Sequence, residues 1–119
     1  MPDGIIDEAV LAQLLETVGG DRTFLAELVE AYLADSPGLI EGMRHSLAAD
    51  DRTALRRAAH TLKSTSASLG ATDFADACRA IEQAAEAGAP GDLSASIEAA
   101  AAGYDGVAAA LRTRLGTAA

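Results

Sequence analysis

The chain has 119 residues, and of its 59 apolar side chains 29 are alanine and only nine are valine or isoleucine, a balance that suits close helix packing and nearly excludes sheet architectures. Nine Lys and Arg against 18 Asp and Glu leave a net charge of −9, which repels phosphate backbones and anionic headgroups, so nucleic acid and membrane surfaces are poor partners. The length fits one domain with one core, and the lone Cys78 with two well-separated histidines makes neither an intrachain disulfide nor a zinc-spacing pattern. The N-terminus lacks a basic region followed by a long apolar run, and no stretch of 18 apolar residues occurs, so a soluble, cytoplasmic chain is expected.

Turn residues divide the sequence into consecutive helical segments. The first spans about Glu8 to Val18, with Asp7 as N-cap, Leu11, Leu14, Leu15 and Val18 on one face, and Gly19-Gly20 as its stop. Asp21 caps the second, whose apolar positions Phe24, Leu25, Leu28, Val29 and Tyr32 keep step as far as Ser36-Pro37. Because Leu39, Ile40, Met43 and Leu47 continue the stripe, one bent helix of two segments is expected, with Ser36 capping the second segment and Pro37 at its first position.

Asp50-Asp51 ends that helix and starts a third over about Arg52 to Leu69, with a buried stripe of Leu55, Ala59, Leu62, Ser66 and Leu69 and with Gly70 as its left-handed terminal turn. Thr72 or Asp73 opens a fourth, which faces Phe74, Ala77, Cys78, Ile81 and Ala85 inward and stops at Gly88-Ala89-Pro90-Gly91. The fifth starts at Asp92 and carries Leu93, Ile97, Ala100, Tyr104, Val107, Leu111 and then Arg114 to Leu115 at alternating four and three spacings. Short connections make sequential helices antiparallel neighbours, so the expected fold is all-α: an up-down antiparallel four-helix bundle over about 22–116, preceded by a short N-terminal helix over about 8–18.

The chemistry is concentrated in the third segment. With the buried stripe centred on Leu55 and about 100° per residue, Ala59, Leu62 and Ser66 fall within roughly 40° of the centre, whereas His60 lies about 140° away and points to water. Arg56, Arg57, Lys63, Ser64 and Ala67 surround it at three and four spacings. From Arg52 through Thr72 there are four basic residues and no acidic one, where the chain average gives about three acids. Cationic neighbours and open access favour a neutral ring nitrogen that can accept an electrophile, and Lys63, one turn on, can neutralise a phosphoryl group held there. Ser64 and Ala67 leave the approach uncrowded. His45 points away from its helix stripe without a following lysine and is expected to be an ordinary surface residue, and Cys78 falls on an apolar face as core. Thr61, Thr65 and Ser68 are expected to face solvent or to bond back to helix carbonyls.

The run His60-Thr61-Leu62-Lys63-Ser64, with Leu69-Gly70-Ala71 after it and Cys78 and Glu82 on the next helix, resembles the signature of histidine-containing phosphotransfer (HPt) domains of multistep two-component phosphorelays. The likeness covers roughly Ile5 to Gly88, and the helical order extends it so that residues 1–119 are expected to form a single HPt domain. The resemblance implies a phosphocarrier without an ATP site, not an enzyme in its own right. His60 would take a phosphoryl group from the aspartyl phosphate of one receiver domain and pass it reversibly to another. Lys63 would steady the group, and Arg56, Arg57, Ser64 and Ala67 would contact phosphate or partner.

The chain itself needs no cofactor or metal on this reading, Mg²⁺ being supplied by the receiver. The implied partners are receiver domains of response regulators and of a hybrid histidine kinase, met by a monomer, and a start at Met1 favours a free-standing shuttle over an excised tail. Ser64 stands where the family commonly has Gly. Two other readings use the same residues: a dimerisation and phosphoacceptor fragment of a histidine kinase, in which an acidic residue usually follows the histidine where Thr61 stands here, and a helical docking module without phosphoryl chemistry. A conventional enzyme is disfavoured, since no Asp or Glu lies near His60 in sequence and no Ser-His-Asp, P-loop or HExxH pattern occurs.

Overall fold

In the structure, a computed structural model that describes residues 5–88 and 93–115, five helices follow one another: α1 (Glu8–Thr17), α2 (Arg22–Ala48), α3 (Arg52–Ser68), α4 (Thr72–Ala87) and α5 (Leu93–Leu115). Aspartates start the first three. Asp7 accepts from the N–H groups of Ala9 and Val10 (3.0 and 3.4 Å), Asp21 from Phe24 (3.0 Å) and Asp51 from Ala54 (3.0 Å), satisfying donors that a helix start leaves without internal partners. The fourth opens at Thr72, one of the two expected positions, but without an aspartate cap. Its N-cap is Ala71, which makes no side-chain cap, and Thr72 is already helical with its hydroxyl donating to the Gly70 carbonyl at 3.2 Å. Ala71 is completely buried, so packing against the core takes precedence there over a polar cap.

The second helix is a single helix, as expected, but has no second start at Ser36-Pro37. It runs without interruption through Pro37, and Ser36 does not cap a new segment: its hydroxyl donates to the Tyr32 carbonyl at 2.6 Å from within the core. The burial of Leu25, Val29, Tyr32, Ser36, Ile40 and Met43 along a single face carries the helix through Pro37 against the local preference for a break. Phe24, read as part of that face, is instead 44% exposed. The expected Pro90, Gly91 and Asp92 punctuation lies outside the described residues, as do Met1 and the last four positions.

The four longer helices touch in cyclic order, α2 to α3 to α4 to α5 and back to α2, with the α3–α4 contact the most extensive, while α1 rests on α2 and α3. They enclose one core in which Val29, Met43, Leu55, Leu62, Ile81, Ile97 and Leu111 are essentially inaccessible. Tyr104 stacks at an angle between Tyr32 and Phe74, with ring centroids 6.0 and 5.7 Å away. The α3–α4 turn is fastened to the start of the chain: the Asp7 N–H donates to the Gly70 carbonyl at 2.7 Å. Gly70 has φ of 86°, and a Cβ there would fall 2.7 Å from the Asp7 carbonyl oxygen, so both the backbone conformation and the close approach require glycine. This turn fixes where α4 begins, and hence which of its residues stand beside α3.

Candidate functional site

The stripe of Leu55, Ala59, Leu62 and Ser66 is buried against the core, so α3 turns its opposite face outward. His60 lies on that outer face with 55% of its side chain exposed. Ser64 and Ala67, one and two turns on, are exposed as well, as is Arg57. Arg56 is half-buried. It lines a recess of about 340 Å³ with Arg52, Thr53, Glu86 and Gly88, where the start of α3 meets the end of α4. Neither Arg56 nor Arg57 makes an ion pair among the described residues, so the structure does not join these arginines to His60 by any direct bond.

The sequence reading placed only cations around the ring, and the structure corrects this. Glu82, on the neighbouring helix and one turn beyond the buried Cys78, lies at the edge of the inward face of α4 with 14% of its side chain exposed. One of its oxygens, Oε2, is 2.8 Å from His60 Nδ1, and the other, Oε1, is 2.8 Å from Lys63 Nζ. The residue nearest to both is therefore an anion, and Lys63 is engaged with it instead of standing free. The ammonium of Lys63 holds the Glu82 carboxyl below the usual carboxylate range, and His60 acts in the same direction, against the opposing effect of desolvation. An ionised carboxylate can only accept a hydrogen bond, so Nδ1 is the donor to Glu82, and in the neutral ring that tautomer puts the lone pair on Nε2.

Glu82 was legible as part of the motif resemblance, but its role was not. Its bond to His60 spans 22 residues and depends on the register between α3 and α4. A charged residue adjoining the buried Ile81, in a helix packed on the motif helix, is the signal that points to it. The remaining polar residues behave as local chemistry suggests: the Thr65 and Ser68 hydroxyls donate to the Thr61 and Ser64 carbonyls at 3.0 Å, and His45 is exposed. Cys78 is fully enclosed, and burial pushes its thiol up to about 12, which makes it an inert part of the core. Among the described residues no cluster of three or more His, Cys, Asp or Glu could hold a metal ion, and no helix is long and apolar enough to cross a membrane.

His60 is thus borne on a helix, with Nδ1 bonded to Glu82 and more than half of its side chain exposed, and the described residues form helices without strands. Residues 27–117 match the model of the Hpt domain family, and the chain belongs to that family. Among solved structures it is similar to the histidine-containing phosphotransfer protein B of Pseudomonas aeruginosa, with 26% identity, 97% of each chain covered and a TM-score of 0.85. No curated protein matches the chain. Its role is histidine phosphotransfer in a two-component phosphorelay, as a phosphocarrier and not as an enzyme with an ATP site, and domains of this family work with receiver domains. The kinase-fragment and docking-module readings give way to this assignment.

Proposed function

We propose that His60 is the phosphoryl acceptor and that Nε2 is the atom that carries the group. The observation that supports this most directly is the 2.8 Å bond between Nδ1 and Glu82, on a ring that remains 55% exposed. It fixes ring orientation and tautomer while leaving one nitrogen to meet an incoming aspartyl phosphate. The Nε2 lone pair attacks phosphorus, the Nε2–P bond forms, and the P–O bond to the receiver aspartate breaks with its electron pair remaining on that carboxylate. The proton on Nδ1 stays in place, so the ring becomes an imidazolium whose charge faces Glu82. Reversal of the same step delivers the group to a second receiver.

In this reading Lys63 neutralises the bound phosphoryl oxygens, while exposed Ser64 and Ala67 let the receiver approach closely and Arg56 and Arg57 attract its acidic surface. The partners are receivers of response regulators and of a hybrid histidine kinase. The cyclic contacts of α2 to α5 support an up-down antiparallel four-helix bundle with α1 laid across it, the whole chain acting as one domain, a cytoplasmic monomer. Incubation with a receiver domain charged by acetyl phosphate should give an acid-labile, base-stable adduct that His60→Gln abolishes. An adduct that survives in His60→Gln would overturn the assignment.

A further inference from the structure

One carboxylate serves two groups that have different tasks once a phosphoryl group arrives. Glu82 has both oxygens occupied, Oε2 by the imidazole and Oε1 by the ammonium, each at 2.8 Å. Its ring contact is suited to both states of His60, since Nδ1 keeps its proton in each. Its contact with Lys63 is not. A phosphoryl group on Nε2 brings a doubly charged anion to the outer side of a ring one helical turn from Lys63, and an ammonium on a four-carbon stem is a mobile donor that moves toward the stronger anion.

We propose that Glu82 is a positioning residue that stores the Lys63 ammonium while His60 is empty and releases it to the phosphoryl oxygens when His60 is loaded. This rests on the assignment of His60 as acceptor and Lys63 as its phosphate partner, and it adds a competition between two anions for one cation. The charge around Glu82 stays balanced through the exchange. Before loading its counter-ion is Lys63, and afterwards it is the imidazolium created by the new Nε2–P bond. The empty site therefore holds no unpaired buried anion, and the loaded site has its lysine free to act. Burial differs in the direction this requires: the Glu82 side chain is 14% exposed and Lys63 is 26% exposed, so the carboxylate is the fixed member and the lysine the one with room to move.

A double-mutant cycle on the transfer equilibrium tests the exchange. The readout is the ratio of phosphorylated carrier to phosphorylated receiver, measured for the receiver that exchanges label fastest, in wild type, Lys63→Ala, Glu82→Gln and the double variant. Glutamine retains an oxygen that accepts from Nδ1 but removes the charge that holds the ammonium. Lys63→Ala should lower the loaded fraction in the wild-type background, and should lower it by a further factor of about two to five when Glu82 is glutamine, the range expected for the ion pair that no longer has to open. Equal losses in both backgrounds, or no loss in wild type, would overturn the exchange. A second measurement needs no variant: the ammonium nitrogen resonance of Lys63 should shift when the wild-type protein is loaded with phosphoramidate, and an unmoved resonance would also overturn it. Labelling that persists in His60→Gln would instead remove the acceptor assignment on which both rest.

Discussion

The Tyr32 hydroxyl on α2 lies 2.7 Å from the Ser66 hydroxyl on α3, inside the core and on the face of α3 opposite to His60. Ser66 is inaccessible, and burial with few compensating partners pushes the Tyr32 phenol up to about 12. The pair ties the motif helix to its neighbour at one rotational setting. If α3 rotated, both hydroxyls would lose their partner in a place where water cannot replace it.

Removing the two hydroxyls should therefore have unequal effects. Ser66→Ala removes the 2.7 Å partner of the buried phenol and is expected to cost about 1–3 kcal/mol. Tyr32→Phe should cost less, because the serine hydroxyl can turn back to the Leu62 carbonyl one turn earlier in its own helix. The double variant should be less destabilised than the sum of the two, since it leaves no polar group alone. Urea unfolding of the three variants decides this, and strict additivity would show that the hydroxyls do not act as a pair.

The carboxyl of Glu82 gives a pH dependence with a definite sign. Lys63 first, and His60 in addition, hold it below its usual range in the folded protein, whereas in the unfolded chain it titrates near the ordinary value of about 4.3. A depressed folded value means that the unfolded state binds the proton first as acid is added. The stabilisation is thus fully present above the unfolded value and is lost as pH falls through the folded one. Glu82→Gln should flatten the fall in the urea midpoint across that acidic window relative to wild type. In carboxyl NMR titrations, Lys63→Ala should raise the Glu82 value more than His60→Gln does. The reverse order would show that the ring, not the ammonium, sets it.

These relationships also show what local sequence can and cannot carry. The α3 stripe of Leu55, Ala59, Leu62, Ser66 and Leu69 was readable because helical period and burial repeat together within a single element, and the outward placement of His60 followed from it. Asp7, Asp21 and Asp51 were readable because a cap bonds within three residues of itself. Glu82 was not, because its two bonds depend on how far α4 is shifted along α3, and that is set by the Gly70 turn and the buried Ala71 together. Ser36 is a related case: its side chain is suited to capping, but its burial in the core turns the hydroxyl back to the Tyr32 carbonyl.

Pro37 is the sharpest case of that kind, since it sits exposed inside a 27-residue helix that its chemistry opposes. It has no N–H for the Leu33 carbonyl one turn earlier, and its ring crowds that carbonyl. The adjacent Ser36 hydroxyl donates to the neighbouring Tyr32 carbonyl at 2.6 Å, a different acceptor, and so does not replace the donor that Pro37 lacks. Pro37→Ala should restore the missing donor at a surface position where no side-chain packing is lost. Proline also restricts the unfolded chain, and losing that restriction returns about 0.4–1 kcal/mol to the unfolded state, against an intrinsic penalty of about 3 kcal/mol for proline in a helix interior. The expected result is a net stabilisation of about 1–2 kcal/mol, the remainder being absorbed by helix geometry already adapted to the ring. The site on α3 should be unaffected, so transfer to a receiver is expected at the wild-type rate. A destabilised Pro37→Ala would mean that the proline fixes a shape of α2 that the core requires, and that the uninterrupted helix is maintained by the residue that local preference marks as its break.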